Sequence, residues 1–260
     1  MLLSLEVSPG ALLTEQLGTR FPQFYLTPPA PCPYLPDRTE RKVFTKLSGP
    51  LSRQIHESLA RVGFRRSQNI AYRPACDGCS ACTSVRVQVD DFTLSRTFRR
   101  TMAANADLSV QAVDPLAMEE HYYLLKSYLG ERHAGGGMAS MGVLDFVSMV
   151  EDTTIDTQIV EYRLPPEPGA AVGALAACAL TDVLSDGLSM VYSFFDPDLS
   201  DRSLGTFMVL DHIARARKAG LPFVYLGYLV EGCRKMAYKG RFGPLEGHGS
   251  EGWTALKPRE

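Results

Sequence analysis

Three cysteines stand in the run Cys76-Asp-Gly-Cys79-Ser-Ala-Cys82. This spacing lets three thiolates converge on one ion or cluster from a single tight turn, and Gly78 helps the backbone bend between the first two. Tetrahedral closure needs a fourth donor. Cys32 is the only other cysteine of the N-terminal half, and it lies in a proline-rich stretch that ligation would anchor. Zinc and an iron–sulfur cluster suit the motif equally, with reduced structural thiols or a redox-sensitive disulfide as alternatives.

A second candidate is the segment Asp196-Pro-Asp-Leu-Ser-Asp-Arg-Ser-Leu-Gly-Thr-Phe-Met, which follows a predicted strand and opens a predicted helix. Free backbone N–H groups near Leu204, Gly205 and Thr206 can receive an anion there. Arg202-x-x-Gly205 is also similar to the R/Q-x-x-G-x-G/A loop with which GNAT-superfamily acetyltransferases hold the coenzyme A pyrophosphate. Phe207 stands where that loop carries Gly or Ala, which argues against coenzyme A. A plain capped helix accounts for the same spacing. No Ser-His-Asp, Cys-His or H-E-x-x-H constellation exists, and His56, His121, His133, His212 and His248 are scattered. Covalent catalysis is not indicated.

The elements that position these residues follow from periodicity. Residues 21–37 hold six prolines and read as an extended strap. Leu51, Ile55, Leu59 and Val62 fall at helical spacing, with Gly63 at the expected C-cap. Strands flank the cysteine turn. Asp114 and Pro115 predict a helix running to about Arg132, which the Gly135–Gly137 run breaks. Met141 to Val150 reads as a short helix, followed by an alternating strand. Two further strands meet at Ser185-Asp186-Gly187, an antiparallel hairpin signal. A helix over 203–219, capped by Asp201 or Ser203, precedes the buried strand PFVYLGYLV. A short basic helix and turns close the chain. The pattern predicts an α+β fold: a small cysteine-bearing basic N-terminal module over 1–105 and an acyltransferase-type domain over 106–260, built on a mainly antiparallel sheet.

Composition narrows the setting. Residues 38–100 carry thirteen Lys and Arg against five Asp and Glu, a local +8 in a chain whose net charge is −2. A basic segment of this kind suits phosphate contact as well as it suits a solvated face. The start lacks a basic leader region and meets Glu6, Pro9 and Gly10 early, so a cytoplasmic protein is expected. The longest apolar stretch, 170–180, falls far short of the roughly 20 residues of a membrane span.

At FYLTPPAPCPYLPDRTERKVFTKL, GFRRSQNIAYRPACDGCSAC, SFFDPDLSDRSLGTFMVLDHI and YLGYLVEGCRKMAYKGRFGPLEG, the chain resembles the arginyl-tRNA-protein transferase family, most closely its short bacterial branch of leucine-transferring members. The resemblance spans nearly all of residues 21–247. It implies a GNAT-like catalytic domain and an aminoacyl-tRNA donor, Leu-tRNA by branch similarity. It also implies acceptors whose N-terminal Asp or Glu is thereby marked for the N-degron (N-end rule) pathway. Arginine as donor, or a coenzyme A-dependent N-acetyltransferase, is the alternative. The one-plus-three cysteine arrangement departs from the C-x-x-C and adjacent pair of eukaryotic relatives.

An aminoacyl ester is already activated, so the reaction needs positioning, oxyanion donors and one proton removed from the amine, and no organic cofactor. On this reading Asp196 orients or deprotonates the amine, with Tyr228 as the second catalytic candidate. Arg202, Ser203, Gly205 and Thr206 hold the donor's terminal adenosine or phosphate, and Tyr225, Lys235 and Lys239 line the other side. Arg65 and Arg66 grip the acceptor carboxylate, because Arg does so bidentately. Arg38, Arg41 and Lys42 track the acceptor stem. Cys32, Cys76, Cys79 and Cys82 are the metal candidates.

Overall fold

A computed structural model of the chain describes residues 22–132, 138 and 140–256. The expected break at Gly135–Gly137 and the first 21 residues lie outside them. The N-terminal stretch supplies β1 (Tyr25–Leu26), β2 (Ala30–Pro31), β3 (Thr39–Glu40) and β4 (Lys42–Lys46). Then come α1 (Ser52–Ala60), β5 (Arg65–Ser67), β6 (Ile70–Pro74), β7 (Cys82–Gln88), α2 (Arg96–Ala104) and β8 (Ser109–Val113). The remainder is α3 (Glu119–Arg132), α4 (Val143–Glu151), β9 (Thr157–Arg163), β10 (Leu175–Leu184), β11 (Gly187–Phe195), α5 (Leu204–Lys218), β12 (Phe223–Val230), β13 (Leu245–Gly249) and β14 (Gly252–Ala255).

The fold is mixed α/β with largely antiparallel sheets. An eight-stranded sheet runs β14-β13-β7-β12-β11-β10-β9-β8, a four-stranded one β1-β4-β6-β5, and β2 pairs with β3. The parallel pair of the large sheet is β11 with β12, and α5 makes the crossover between them that a parallel pair requires. β7, from the cysteine-bearing first hundred residues, is hydrogen-bonded inside this sheet between β13 and β12.

Most helices sit where periodicity put them. Gly63, at φ +83°, ends α1, and the Phe64 N–H reaches back to the Leu59 carbonyl at 3.0 Å. α3 begins five residues later than its Asp114 cap signal. The Leu116 N–H turns back on the Asp114 carbonyl at 2.8 Å, and this tight turn is incompatible with a helical start there. α2 and β8 were not foreseen; Ser95 caps α2 by accepting from the Phe98 N–H at 3.2 Å. The β10–β11 hairpin is antiparallel, with Leu184 opposite Gly187 and a two-residue turn. The expected terminal basic helix is a 3-10 turn, Ala237–Arg241, followed by the unforeseen β13–β14 hairpin.

The core lies on both faces of the large sheet. Val85, Val87, Tyr162, Ala177 and Val224 pack beneath Phe207 and Met208 of α5, while Leu180 and Phe194 pack beneath Leu125 and Leu129 of α3 and Phe146 of α4. Ala176, Ala177 and Ala179 are fully buried, which explains why β10 reads as a continuous apolar run rather than an alternation. A small cluster, Leu47, Leu59, Phe64 and Ala71, supports the four-stranded sheet. Among the described residues, no helix is long and apolar enough to cross a membrane.

Candidate active site

β11 and β12 are hydrogen-bonded over three positions only, Gly187 with Phe223 through Ser189 with Tyr225. Beyond them the strands part. Each strand carries an irregularity at this point: β11 shifts register against β10 between Met190 and Tyr192, and β12 shifts against β7 between Tyr225 and Gly227. Bulges of this kind bend a strand away from its neighbour and leave main-chain groups unpaired.

The guanidinium of Arg65 enters the opening from β5. Its Nη2 donates to the carbonyls of Met190 at 2.8 Å and Val191 at 3.3 Å. Its Nη1 is buried and has no partner. Gly227 makes the space: at φ +83°, a Cβ there would fall 2.4 Å from Arg65 Nη1. Only glycine takes this backbone conformation beside the guanidinium at low cost. Lys239 reaches the next residue, its Nζ donating to the Tyr228 carbonyl at 2.7 Å, and the residue is 7% exposed. Burial, then the Arg65 cation, pull the Lys239 ammonium down to about 7, with the Cys233 thiol opposing. Among the described residues, no carboxylate forms an ion pair with Arg65 or Lys239.

An aromatic wall joins this cationic notch to the start of α5. Tyr238, 42% exposed, has its phenol raised by burial and by neighbouring Tyr128, with Arg65 pulling the other way. The Tyr128 ring meets Phe195 edge-on at 5.0 Å, and Arg132 lies 5.4 Å over the Phe195 ring. Gly205 lies against the same ring, a Cβ there falling 3.2 Å from Phe195 Cε1. Ser203 adopts the left-handed conformation at φ 53° and accepts from the N–H groups of Thr206 and Phe207, so Leu204 and Gly205 stand at the open end of the helix. Asp196 caps the preceding 3-10 turn, Pro197–Arg202, its Oδ1 accepting from the Asp198 N–H at 3.0 Å.

Arg65 and Lys239 thus meet at β12, Tyr238, Tyr128 and Phe195 link them to Gly205, and Asp196, Ser203 and Thr206 lie around the same start of α5. Others do not join them. Tyr228, expected to be catalytic, is buried with its hydroxyl aimed at the Gly63 and Tyr72 carbonyls, both at 3.1 Å, and burial raises its phenol far above the usual range. That proton is committed to the main chain. Tyr225, expected on the donor side, sits where the strands are still paired, donating to Asp186 at 2.9 Å and accepting from Arg86 at 3.2 Å. Arg202 is held by Asp107 in a two-point pair at 2.8 and 3.0 Å. Lys235 is exposed on the turn beyond β12.

Arg66 is corrected most sharply. Adjacent strand residues point to opposite faces, so while Arg65 enters the notch, Arg66 is buried and pairs with buried Asp182 at 2.7 and 2.8 Å. It fastens β5 to β10 and leaves no room for an acceptor. Phe207 packs edge-on to Tyr162 at 5.7 Å inside the core, so its bulk does not obstruct the mouth of α5 and is no argument against coenzyme A. Tyr128, Phe195, Tyr238 and Arg132 were missed; they are ordinary helix, strand and turn residues until the fold assembles them. Gly227 carried a readable signal, as an isolated glycine inside a strand marks a bulge or close approach.

Elsewhere, Arg38 is exposed, Arg41 donates to the Thr27 carbonyl at 3.2 Å and meets Asp77 at 3.5 Å, and Lys42 pairs with Glu40 at 2.8 Å. The four candidate thiols are neighbours: Cys82 is pushed up to about 11 by burial and then by Cys32, Cys76 and Cys79. Gly78, at φ +66°, makes the turn, and Cys76 Sγ accepts from the Arg41 N–H at 3.4 Å. The other three sulfurs disfavour a thiolate at Cys82, and no three of the four lie mutually within 4.8 Å. Among the described residues, the single group of ligand atoms all within 4.8 Å of one another is instead Glu120, His121 and Glu161. Arg163 already pairs with both of those glutamates, and His121 Nε2 meets Glu161 at 2.7 Å, so their oxygens are engaged within the protein.

The model of the "Arginine-tRNA-protein transferase, C terminus" family matches residues 120–248, and that of its N terminus matches residues 30–100. An aspartate/glutamate leucyltransferase of Parvibaculum lavamentivorans is 60% identical over 94% of this chain and 98% of its own length. Another, of Bradyrhizobium sp., is 57% identical over 91% and 93% respectively. Among solved structures, FemX aligns with 66% of this chain and 59% of its own at 11% identity, with a TM-score of 0.45.

Proposed function

The chain belongs to the arginine-tRNA-protein transferase family, within its aspartate/glutamate leucyltransferases, and on that premise we propose that it moves leucine from Leu-tRNA onto the N-terminus of proteins beginning with Asp or Glu. Such acceptors would thereby enter the N-degron pathway. The observation that carries the acidic-acceptor reading is the half-buried Arg65 guanidinium, whose buried Nη1 has no partner, in a notch where no described carboxylate pairs with it. A buried charge in this state is costly, and an incoming carboxylate relieves it.

The acceptor's side chain docks on Arg65, presenting its α-amine towards the aromatic wall. The donor's aminoacyl ester lies against Tyr128, Phe195 and Tyr238, whose apolar faces suit an isobutyl group. An arginyl side chain would meet Arg65, Lys239 and Arg132 there, which disfavours arginine as donor. The amine nitrogen attacks the ester carbonyl, the main-chain N–H groups of Leu204 and Gly205 receive the oxyanion, and the C–O bond to the tRNA 3′-oxygen breaks. Asp196 orients the ammonium and accepts its proton, which leaves with the 3′-oxygen. No organic cofactor is required, because the ester is already activated.

The GNAT-like acyl-transfer role is assigned to 106–260 together with β7, which the first hundred residues contribute to the large sheet. The cysteine-bearing module of 1–105 adds Arg65 and the tRNA-facing Arg38, Arg41 and Lys42. Cys32, Cys76, Cys79 and Cys82 would hold zinc or an iron–sulfur cluster that ties the proline strap to the cysteine turn. A transfer assay with charged tRNAs and short peptides tests the function. Leucine should pass to Asp-first and Glu-first peptides and not to a Lys-first peptide, with Leu-tRNA preferred over Arg-tRNA. Equal transfer to all three peptides would overturn the acceptor assignment.

A further inference from the structure

Lys239 fits poorly on the donor side to which its place in the sequence assigns it. Gly227 and Tyr228 are consecutive residues of β12 just past its bulge. The first accommodates the Arg65 guanidinium and the second receives Lys239 Nζ on its carbonyl. The two cations thus approach neighbouring residues of β12 from different elements, Arg65 from β5 and Lys239 from the turn before β13. The groups facing Lys239 are the Arg65 guanidinium, the Tyr228 carbonyl of β12, the Cys233 thiol beyond β12, and the Tyr238 ring on its own turn at 5.9 Å. No described carboxylate pairs with either cation. A buried ammonium beside a half-buried guanidinium is unstable unless it gives up its proton or an anion arrives between the two.

We infer that Lys239 is the second cation of the acceptor pocket, so that the acidic side chain is held between Arg65 and Lys239 and Lys239 takes up a proton as the carboxylate enters. This rests on the acidic-acceptor reading above. In the empty notch, Lys239 is partly neutral at physiological pH, because burial and Arg65 disfavour its charge. A bound carboxylate reverses the second effect and offsets the first. Acceptor binding is then coupled to pH through the enzyme as well as through the substrate amine. Below the titration of Lys239 the pocket is fully charged and binds acids tightly; above it, binding must draw a proton from solution and weakens.

The test is calorimetric titration of the full-length protein with Asp-first and Asn-first peptides, without tRNA, at pH 8 in two buffers of different ionisation enthalpy. The Asn-first peptide carries the same titrating amine, so the difference between peptides reports the pocket. The expected result is a net proton uptake on binding the Asp-first peptide that K239M abolishes, together with roughly tenfold weaker binding. K239R, charged at every pH, should restore affinity without the uptake. Equal proton exchange for both peptides would overturn the proposal. So would a K239M protein that keeps its KM for the Asp-first peptide and loses only kcat, since this marks Lys239 as a base in the chemical step. K239M is checked by thermal melting; if it does not fold, the wild-type comparison and K239R still decide. Failure of the functional reading itself is seen separately, as absence of leucine transfer from Leu-tRNA by the wild-type protein.

Discussion

Replacing Gly227 with alanine adds one methyl group, and the structure says where it goes: 2.4 Å from Arg65 Nη1 and 2.6 Å from its Cζ. Neither approach is tolerable. The backbone at φ +83° cannot adjust without disturbing the β12 bulge, so the mobile partner, the end of the arginine side chain, must leave. The left-handed conformation costs an alanine about 1–2 kcal/mol, and loss of the two bonds to the Met190 and Val191 carbonyls adds about 1–3 kcal/mol. A domain with about 5–15 kcal/mol of stability survives this. Catalysis on acidic acceptors should not, because losing a charge-assisted bond to the carboxylate, about 1.5–3 kcal/mol, lowers kcat/KM for an Asp-first peptide roughly 10- to 150-fold. The assay is steady-state transfer of radiolabelled leucine from Leu-tRNA to Asp-first and Asn-first peptides. The slow background on the Asn-first peptide should barely change. A folded G227A protein with wild-type kcat/KM for the Asp-first peptide, or an equal loss on both, would show that Arg65 does not read the carboxylate.

Four other outcomes are expected. Folding holds the Lys239 ammonium down at about 7, so between pH 7 and 10 the unfolded chain binds the extra proton. Stability measured by urea titration should therefore rise across that window, by at most about 1.4 kcal/mol per pH unit, and K239M should flatten the rise. Asp182→Ala strands the buried Arg66 and should cost about 3–5 kcal/mol in a denaturant melt; a loss below about 1 kcal/mol would mean the pair is not a fastening. Replacing Arg38, Arg41 and Lys42 together with Ala should weaken aminoacyl-tRNA binding and flatten its log–log salt slope by up to about 0.9 for each duplex phosphate no longer neutralised, where an unchanged slope would remove them from the RNA surface. Metal analysis of anaerobically purified protein should find zinc or iron that Cys76→Ser releases; a metal-free wild type with all four thiols freely titratable would leave them as structural thiols.

The parts of the molecule legible from the chain alone were those encoded over short distances. Leu51, Ile55 and Leu59 announced α1 and Gly63 its end; Ser185 and Asp186 announced a hairpin. The four long motifs identified the family, because shared descent leaves its mark in order and spacing without any knowledge of contacts. Cys32 influences Cys82 in the fold, but the run's spacing by itself does not say whether the four sulfurs close on an ion. Where a cap signal was misplaced, as at Asp114 and Pro115, a tight turn displaced the helix start to Glu119.

The site itself was decided by tertiary structure. Arg65 and Arg66 are neighbours of identical chemistry, and nothing in their sequence separates them. The pleat sends them to opposite faces, and only the pairing of β5 with β6 and the packing of both against the large sheet settles which one meets Gly227 and which one meets Asp182. Tyr225 and Tyr228 looked like cleft residues on the strand pattern, yet one lies where β11 and β12 are still joined and the other gives its hydroxyl to main-chain carbonyls. Lys239 became an acceptor-side residue through its hydrogen bond to Tyr228, eleven residues away in the chain, and its nearness to Arg65, far more distant. Residue types specify what chemistry is available; burial, strand register and the splay of two strands select which of those residues face the same space, because these depend on contacts between segments whose separation no local pattern encodes.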